Sequence, residues 1–203
     1  MQLVVMQIIF KAHKSIPVLL LLTLIVFAGC TDRTSLQTKQ ITAYYDGFKN
    51  SDYEKIKQTL ADSLVTTSGD YIMAFSRESY HEKFKWDSVF KPEYELVAID
   101  KKGDHAIATV TVRSSKLTFL KNNPMTCNYR FHLESGTIFK IDELDCPDAD
   151  WALWQKQVNS LVNWVAENHP EMDGFVNDLT MEGAINYVKA IALYQISENA
   201  EQP

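Results

Sequence analysis

Residues 92–145 alternate between apolar and polar side chains over consecutive stretches, a pattern typical of antiparallel strands with one buried face. No proline falls inside these stretches, and polar turns separate them. The pattern predicts a strand over 93–101, a long second strand over 105–119 and a final hairpin over 125–145. The buried face of the second strand should carry Ala106, Ala108, Val110 and Val112.

The final hairpin should turn at Glu134-Ser135-Gly136, because a three-residue loop needs a left-handed last residue and glycine adopts that conformation without strain. The resulting register predicts one apolar and one polar face. It sets Phe131 opposite Phe139, Tyr129 opposite Ile141 and Cys127 opposite Glu143.

Helical periodicity precedes this region. Apolar residues recur every three or four positions over 36–50, and again after the break at Asn50-Ser51-Asp52. Ser76 should cap a third helix that runs to about Trp86, and two short strands should fill the interval over 65–75.

The chain after Cys146-Pro147 also has a helical pattern, with Asp150 and Thr180 as capping residues of two further helices. Two helices alone have too little apolar surface for an independent core. We therefore expect residues 147–203 to form an extension that packs on the same domain, covering part of the sheet or joining a second copy.

The N-terminus carries a basic flank, an apolar run over 16–27 and the small residues Ala28 and Gly29 just before Cys30. This arrangement resembles a bacterial lipoprotein signal. The resemblance implies a signal peptide over 1–29, cleavage between Gly29 and Cys30, and lipid on Cys30. A polar tether over 30–35 would follow. A transmembrane anchor and an ordinary secretory signal are the alternatives, and Met6 could be the true start instead of Met1.

A lipid on Cys30 would place the protein in the bacterial cell envelope, bound to the membrane. In the lipoproteins that it resembles, the absence of an aspartate after the lipidated cysteine favours the outer membrane; which face it occupies stays open. The 203-residue chain has a formal charge of −6, which becomes −8 when Lys11 and Lys14 leave with the signal. Nucleic acid is not an expected partner, because phosphate binding needs clustered basic residues.

The element order is two helices, short strands, a third helix and then long antiparallel strands. It resembles that of the nuclear-transport-factor-2-like cone, including its SnoaL-like branch. The stretches that carry the resemblance are 41–60, 76–84, the strand pair around Lys102-Gly103-Asp104, and 135–141. The resemblance implies an α+β fold over 36–146, in which a curved antiparallel sheet wraps around the N-terminal helices and encloses a pocket.

Candidate pocket residues follow from the apolar helix faces and the hairpin register. They are Tyr45, Phe48, Phe84, Tyr129, Phe131 and Glu143. Glu143 could serve as a proton-transfer group in an apolar cavity, or it could simply end a strand and reach water. The His81-Glu82 pair begins like a zinc-protease helix, but Lys85 stands where the second histidine should be. The sequence predicts neither a metal site nor a cofactor.

Cys127 and Cys146 flank the final hairpin and could form a disulfide outside the cytoplasm. The predicted register leaves Cys146 three residues beyond the position opposite Cys127, so a bond would need a bulge or a chain reversal after Leu144.

Three functions remain open from the sequence. The leading hypothesis is non-catalytic binding of a small apolar ligand or a partner protein. The alternatives are an isomerase- or dehydratase-like enzyme that uses Glu143 with Tyr45 or Tyr129, and a structural homodimer that associates through Trp151 and Trp154. No catalytic residue is assigned.

Overall fold

The computed structural model describes residues 30–200, with side chains from Leu36 onward. The predicted signal peptide and the Cys30 lipidation site therefore lie outside the described side chains. The chain divides into two compact units, residues 1–36 and 37–203. Helix α1 begins at Cys30, so the predicted tether over 30–35 is helical, and its role as a tether stays a prediction.

The described elements follow the predicted order, with one additional short helix. They are α1 (Cys30–Lys49), α2 (Tyr53–Thr59), β1 (Leu60–Ser68), β2 (Tyr71–Ser76), α3 (Arg77–Ser88), β3 (Glu93–Lys102), β4 (His105–Arg113), α4 (Ser115–Phe119), β5 (Met125–Glu134), β6 (Thr137–Asp145), α5 (Trp151–Asn168) and α6 (Met181–Ala200). Single 3-10 turns at Pro170–Met172 and Phe175–Asn177 connect α5 to α6.

Six strands form a single sheet in the order β2-β1-β6-β5-β4-β3. Every neighbouring pair is antiparallel except β1 and β6, which run parallel, so the sheet is mixed rather than wholly antiparallel. Register shifts interrupt the β1–β6, β3–β4 and β5–β6 pairings. Such irregularities increase local twist and bend the strands, which suits a curved sheet.

The first core fills the concave side of the sheet. Ile41, Tyr44 and Tyr45 of α1 pack there with Ile56 of α2, because their spacing places them on one helix face. The inward residues Ala106 and Ala108 of β4, both fully buried, are small and leave room for the rings of α1. The expectation of a curved sheet wrapped around the N-terminal helices is confirmed.

A second core lies under the C-terminal helices. Its members come from α5, α6, the 3-10 turns, the end of α3 and the α4 region, and none of those described comes from a strand. The described members of this core thus show no packing of α5 and α6 on the sheet, and association of these helices with a second copy stays a prediction. Phe90, Phe119 and Leu120 supply the apolar surface that these helices cover.

Strand β4 ends at Arg113, six residues before the predicted end. Ser114 caps α4, and its Oγ accepts a hydrogen bond from the backbone N–H of Leu117 at 3.1 Å. The apolar residues of this segment were predicted as strand because a short apolar run has no period that separates strand from helix. The helix turns Leu117 and Phe119 into buried positions.

The β5–β6 hairpin has a different register from the predicted one. Ser135 and Gly136 both have positive φ, 50° and 84°, as in a two-residue turn, instead of the three-residue loop. Phe131 pairs with Ile141 and Tyr129 with Glu143. Phe139 is skipped in the pairing as a bulge and is 37% exposed, so its predicted place on the apolar face is wrong.

A second bulge in β6 falls at Leu144, which has no partner between the pairs Asn128–Asp145 and Tyr129–Glu143. This bulge moves Cys146 next to Cys127, and the two residues form a disulfide. Both half-cystines are buried. The bond joins the start of β5 to the end of β6 and ties the hairpin at its open end.

Candidate functional site in the cone

A cavity of about 180 Å³ opens between α1, α3 and the concave face of the sheet. Its walls combine aromatic rings with a few polar groups, among them Lys83, Asp87 and Glu143. The aromatic residues that line it are Tyr44, Tyr45, Phe48, Tyr80, Phe84, Tyr94 and Tyr129.

Helix spacing places the wall residues of α1 and α3. Tyr44, Tyr45 and Phe48 follow one another on the sheet-facing side of α1, and their rings meet edge-on, with Tyr44 centred 5.1 Å from both neighbours. Tyr80 and Phe84 are four residues apart on α3 and therefore share a face. The ring of Phe84 lies 5.5 Å from that of Phe48, which joins the two helices across the cavity.

Five of the six predicted pocket residues line this cavity: Tyr45, Phe48, Phe84, Tyr129 and Glu143. The sixth, Phe131, is fully buried behind the wall, where its ring packs against those of Tyr44 and Tyr45 at 5.7 Å and 5.9 Å. Phe131 therefore supports the wall and does not face the space.

The phenol hydroxyls along one side of the cavity are hydrogen-bonded and neutral. The Tyr44 and Tyr80 hydroxyls bond to one another, and the Tyr94 hydroxyl donates to Oδ2 of Asp87 at 2.6 Å. Burial raises the pKa of Tyr44, Tyr80 and Tyr94 above the ordinary tyrosine value, and the Asp87 carboxylate adds to the rise at Tyr80 and Tyr94. Tyr94 already donates its proton to Asp87, and one hydroxyl of the Tyr44–Tyr80 pair donates to the other, so one neutral hydroxyl of that pair keeps a proton for a ligand.

Glu143 lies opposite Tyr129 on the neighbouring strand. Its Oε1 accepts a hydrogen bond from Ser68 Oγ at 2.9 Å, and the side chain is half-buried at the cavity wall. Burial raises the pKa of Tyr129, and the nearby Glu143 and Asp87 carboxylates raise it further. Glu143 thus stands near the end of β6 and also lines the cavity, so both sequence interpretations of its role stay predictions.

Thr66, Asp87 and Tyr94 are among the wall residues that were not singled out from the sequence. Asp87 could have been found, because it lies seven residues after Tyr80 and three after Phe84 on the same helix face. Thr66 gave no such signal. Its buried Oγ1 has no hydrogen-bond partner among the described residues, although the cavity is beside it.

Between residues 36 and 200 no group of histidine, cysteine, aspartate and glutamate side chains has the arrangement of a metal site. His81, the residue that resembled a zinc ligand, stacks on the ring of Tyr53 at 4.1 Å with the planes 9° apart. Its ring is therefore part of the packing between α2 and α3. No described helix is long and apolar enough to cross a membrane.

The sequence matches no family model and no curated protein. Solved structures resemble parts of it. A candidate polyketide cyclase from Sinorhizobium meliloti is 16% identical and aligns over 52% of this chain and 94% of its own, with a TM-score of 0.46. A nuclear-transport-factor-2-like protein of unknown function from Cytophaga hutchinsonii is 11% identical over 53% and 88%, with a TM-score of 0.44. A candidate ketosteroid isomerase from Kribbella flavida is 11% identical over 57% and 80%, with a TM-score of 0.46.

A curved sheet that closes around an N-terminal helix and leaves a cavity at its mouth is the arrangement expected from the element order. The chain therefore folds as an α+β cone, the architecture that its resemblance to nuclear-transport-factor-2-like proteins implied. Helices α5 and α6 are an addition that builds its own core beside this cone. A fold of this kind does not decide a reaction or a ligand, so function has to come from the cavity itself.

Proposed function

We propose that this protein is a lipid-anchored component of the bacterial cell envelope whose cone cavity binds a small molecule. The observation that carries the binding function is the cavity of about 180 Å³, with aromatic walls and a few polar groups that converge on it. Apolar walls with a small number of placed polar groups are typical of small-molecule sites.

The size of the cavity limits the ligand. Pockets for drug-sized ligands usually measure about 300–1,000 Å³. At about 180 Å³ this cavity suits a smaller molecule. Thr66 also lines the cavity, so a larger side chain at this position would fill part of the space.

The binding function is tested by native mass spectrometry of the purified protein after gentle release from the membrane. We expect a small molecule to co-purify with the wild-type chain. Thr66→Phe, which puts a ring into the cavity, should lose it, whereas Thr66→Ala keeps the space open and should retain it. Retention of the same molecule by Thr66→Phe would show that the molecule binds elsewhere.

The anchor is tested separately at Cys30, which follows the apolar run and Ala28-Gly29. We expect metabolic palmitate labelling of the wild-type chain and no labelling of Cys30→Ala. Thr31→Ala is the matched control and should label normally. Labelling that persists in Cys30→Ala would refute the lipid anchor without affecting the binding function.

A second candidate function is proton transfer within the bound molecule. It is favoured by the pairing of Glu143, a carboxylate that can accept a proton, with the neutral Tyr129 hydroxyl across the strand pair. Such pairs support enolisation, in which a base removes a proton and a hydroxyl stabilises the oxyanion. The test is deuterium incorporation into a carbon of the co-purified molecule in D2O. Enzymatic exchange should require Glu143, so Glu143→Gln should abolish it; absence of exchange in the wild type would exclude this function.

A further inference from the structure

We propose that the molecule bound in the cone cavity is a small organic cation, an ammonium compound whose positive charge sits between the aromatic walls and two carboxylates. This inference rests on the proposed binding function and specifies the ligand class.

The two carboxylates come from different elements and face the same space. Asp87 extends from α3 and Glu143 from β6, and both line the cavity. Each accepts one hydrogen bond from a neutral hydroxyl, Asp87 from Tyr94 at 2.6 Å and Glu143 from Ser68 at 2.9 Å. Neither forms a salt bridge with any residue in the described part of the chain. Their negative charge is therefore not balanced by a direct ionic contact.

The remaining walls suit a cation as well. The ring planes of Tyr44 and Tyr45 are 88° apart, and those of Tyr44 and Phe48 are 63° apart. These three rings pack edge-to-face on one another, and all three residues line the cavity. Aromatic faces attract cations, and quaternary ammonium ligands are bound by aromatic cages of this composition.

The positive charges near the site have to be counted against this ligand. Lys83 also lines the cavity, so the ionised lining residues are one lysine and two carboxylates. Lys116, outside the cavity, interacts electrostatically with Asp87. Its Nζ lies over the rings of Trp86 at 4.5 Å and Phe90 at 5.2 Å. Burial lowers the pKa of Lys116 to about 8, so it carries most of its charge at neutral pH. Among the lining residues alone the carboxylates outnumber the amines by one, and Lys116 behind Asp87 offsets most of that excess.

Two probes of equal shape test the charge directly. Choline has a positively charged nitrogen where 3,3-dimethylbutan-1-ol has a neutral carbon. Calorimetric titration of the full chain in detergent measures the affinity for each probe. We expect choline to bind at least tenfold more tightly. Equal or tighter binding of the neutral alcohol would overturn the cation proposal and leave the binding function standing. Binding of neither probe would also overturn the cation proposal. The binding function is tested separately, by whether a small molecule co-purifies with the protein.

Charge-neutral variants locate the source of the preference. Glu143→Gln and Asp87→Asn should each lower the choline affinity at least threefold and leave the affinity for the neutral alcohol within twofold. Glu134→Gln removes an exposed carboxylate from the same hairpin, away from the cavity, and should change neither affinity. Thermal unfolding identifies any variant that fails to fold. If a variant does fail, the comparison of the two probes on the wild type still tests the cation proposal. A choline preference that survives in both cavity variants would contradict the assigned site.

Discussion

Tyr129 on β5 and Glu143 on β6 lie directly opposite one another, and both side chains line the cone cavity. The bulge at Phe139, between the turn and this pair, sets the pairing. Without it Tyr129 would face a different residue, and the carboxylate would lie elsewhere along the wall. The chemistry of the cavity therefore depends on one irregular position in β6.

The ionisation of Tyr129 reports on this pairing. Burial raises its pKa first, and the Glu143 carboxylate raises it further because a second negative charge nearby is unfavourable. In Glu143→Gln we expect the Tyr129 pKa to fall while staying above the ordinary value of 10.0. Titration of ¹³C-labelled tyrosine by NMR measures the change, and Glu134→Gln should leave it unaltered. An unchanged Tyr129 pKa in Glu143→Gln would contradict the observed register.

Asp142 should make the protein sensitive to acid. It is almost fully buried on the outer face of the sheet, and burial opposes its ionisation. Hydrogen bonds from Thr67, Lys140 and His132 outweigh that effect and lower the pKa of Asp142 to about 2, from its ordinary value of 3.8.

The lowered pKa of Asp142 contributes free energy of unfolding that is complete above about pH 4 and is lost as the pH falls toward 2. Asp142→Asn should therefore reduce the free energy of unfolding by about 1–2 kcal/mol at pH 7 and by much less at pH 2. Urea unfolding at the two pH values measures the difference. Asp70→Asn, at an exposed turn, is the control and should have little effect at either pH. An Asp142→Asn effect of equal size at pH 2 and pH 7 would show that packing, not charge, is responsible.

Periodicity predicted the parts of this fold that depend on one element at a time. The Ser76 cap of α3 and the inward residues of β4 follow from local sequence, and both are present as expected. The rings of α1 that line the cavity follow from helix spacing in the same way. A pattern of buried and exposed positions is sufficient for these features because each reflects one helix or strand face.

Features that depend on two distant segments were not predicted. The parallel pairing of β1 with β6 joins residues about 75 positions apart, and no local pattern specifies it. A register predicted from alternation assumes that every residue of a strand has a partner on the neighbouring strand. Each bulge leaves one residue unpaired, so the predicted pairs beyond it are wrong by one position. The predicted hairpin register was therefore wrong by one position at the two-residue turn and by one more at the Phe139 bulge. A total shift of two keeps Tyr129 and Glu143 on their predicted face, so these residues of the cavity wall were still recognised.

The Cys127–Cys146 disulfide should stabilise the cone through the open end of this hairpin. It closes a loop with a sequence separation of 19 residues. A loop of that size lowers the entropy of the unfolded chain and adds about 3 kcal/mol to the free energy of unfolding. The double variant Cys127→Ala/Cys146→Ala should lose about that amount in urea unfolding. Reductant should destabilise the wild type but not the variant; equal stability of all four samples would contradict a structural role for the bond.

Lys116 should oppose stability at neutral pH, and this effect should disappear in alkali. Burial lowers its pKa from 10.5 to about 8, which means that folding disfavours the charged amine. The resulting loss in free energy of unfolding is complete below pH 8. It decreases as the pH rises toward 10.5, because in that range the folded chain has lost the Lys116 proton while the unfolded chain still binds it. The shift corresponds to an upper limit of about 3 kcal/mol, part of which the aromatic rings offset through attraction to the cation.

The matched variant for this effect is Lys116→Met, which keeps an unbranched side chain against Trp86 and Phe90 and removes the charge. We expect Lys116→Met to be more stable than the wild type at pH 7.5 and the difference to shrink by about 1–2 kcal/mol by pH 10. The buried tyrosines titrate in both proteins, so their contribution cancels in the difference. Urea unfolding at the two pH values decides the matter, and a difference that does not change with pH would mean that the Lys116 amine is solvated in the folded protein.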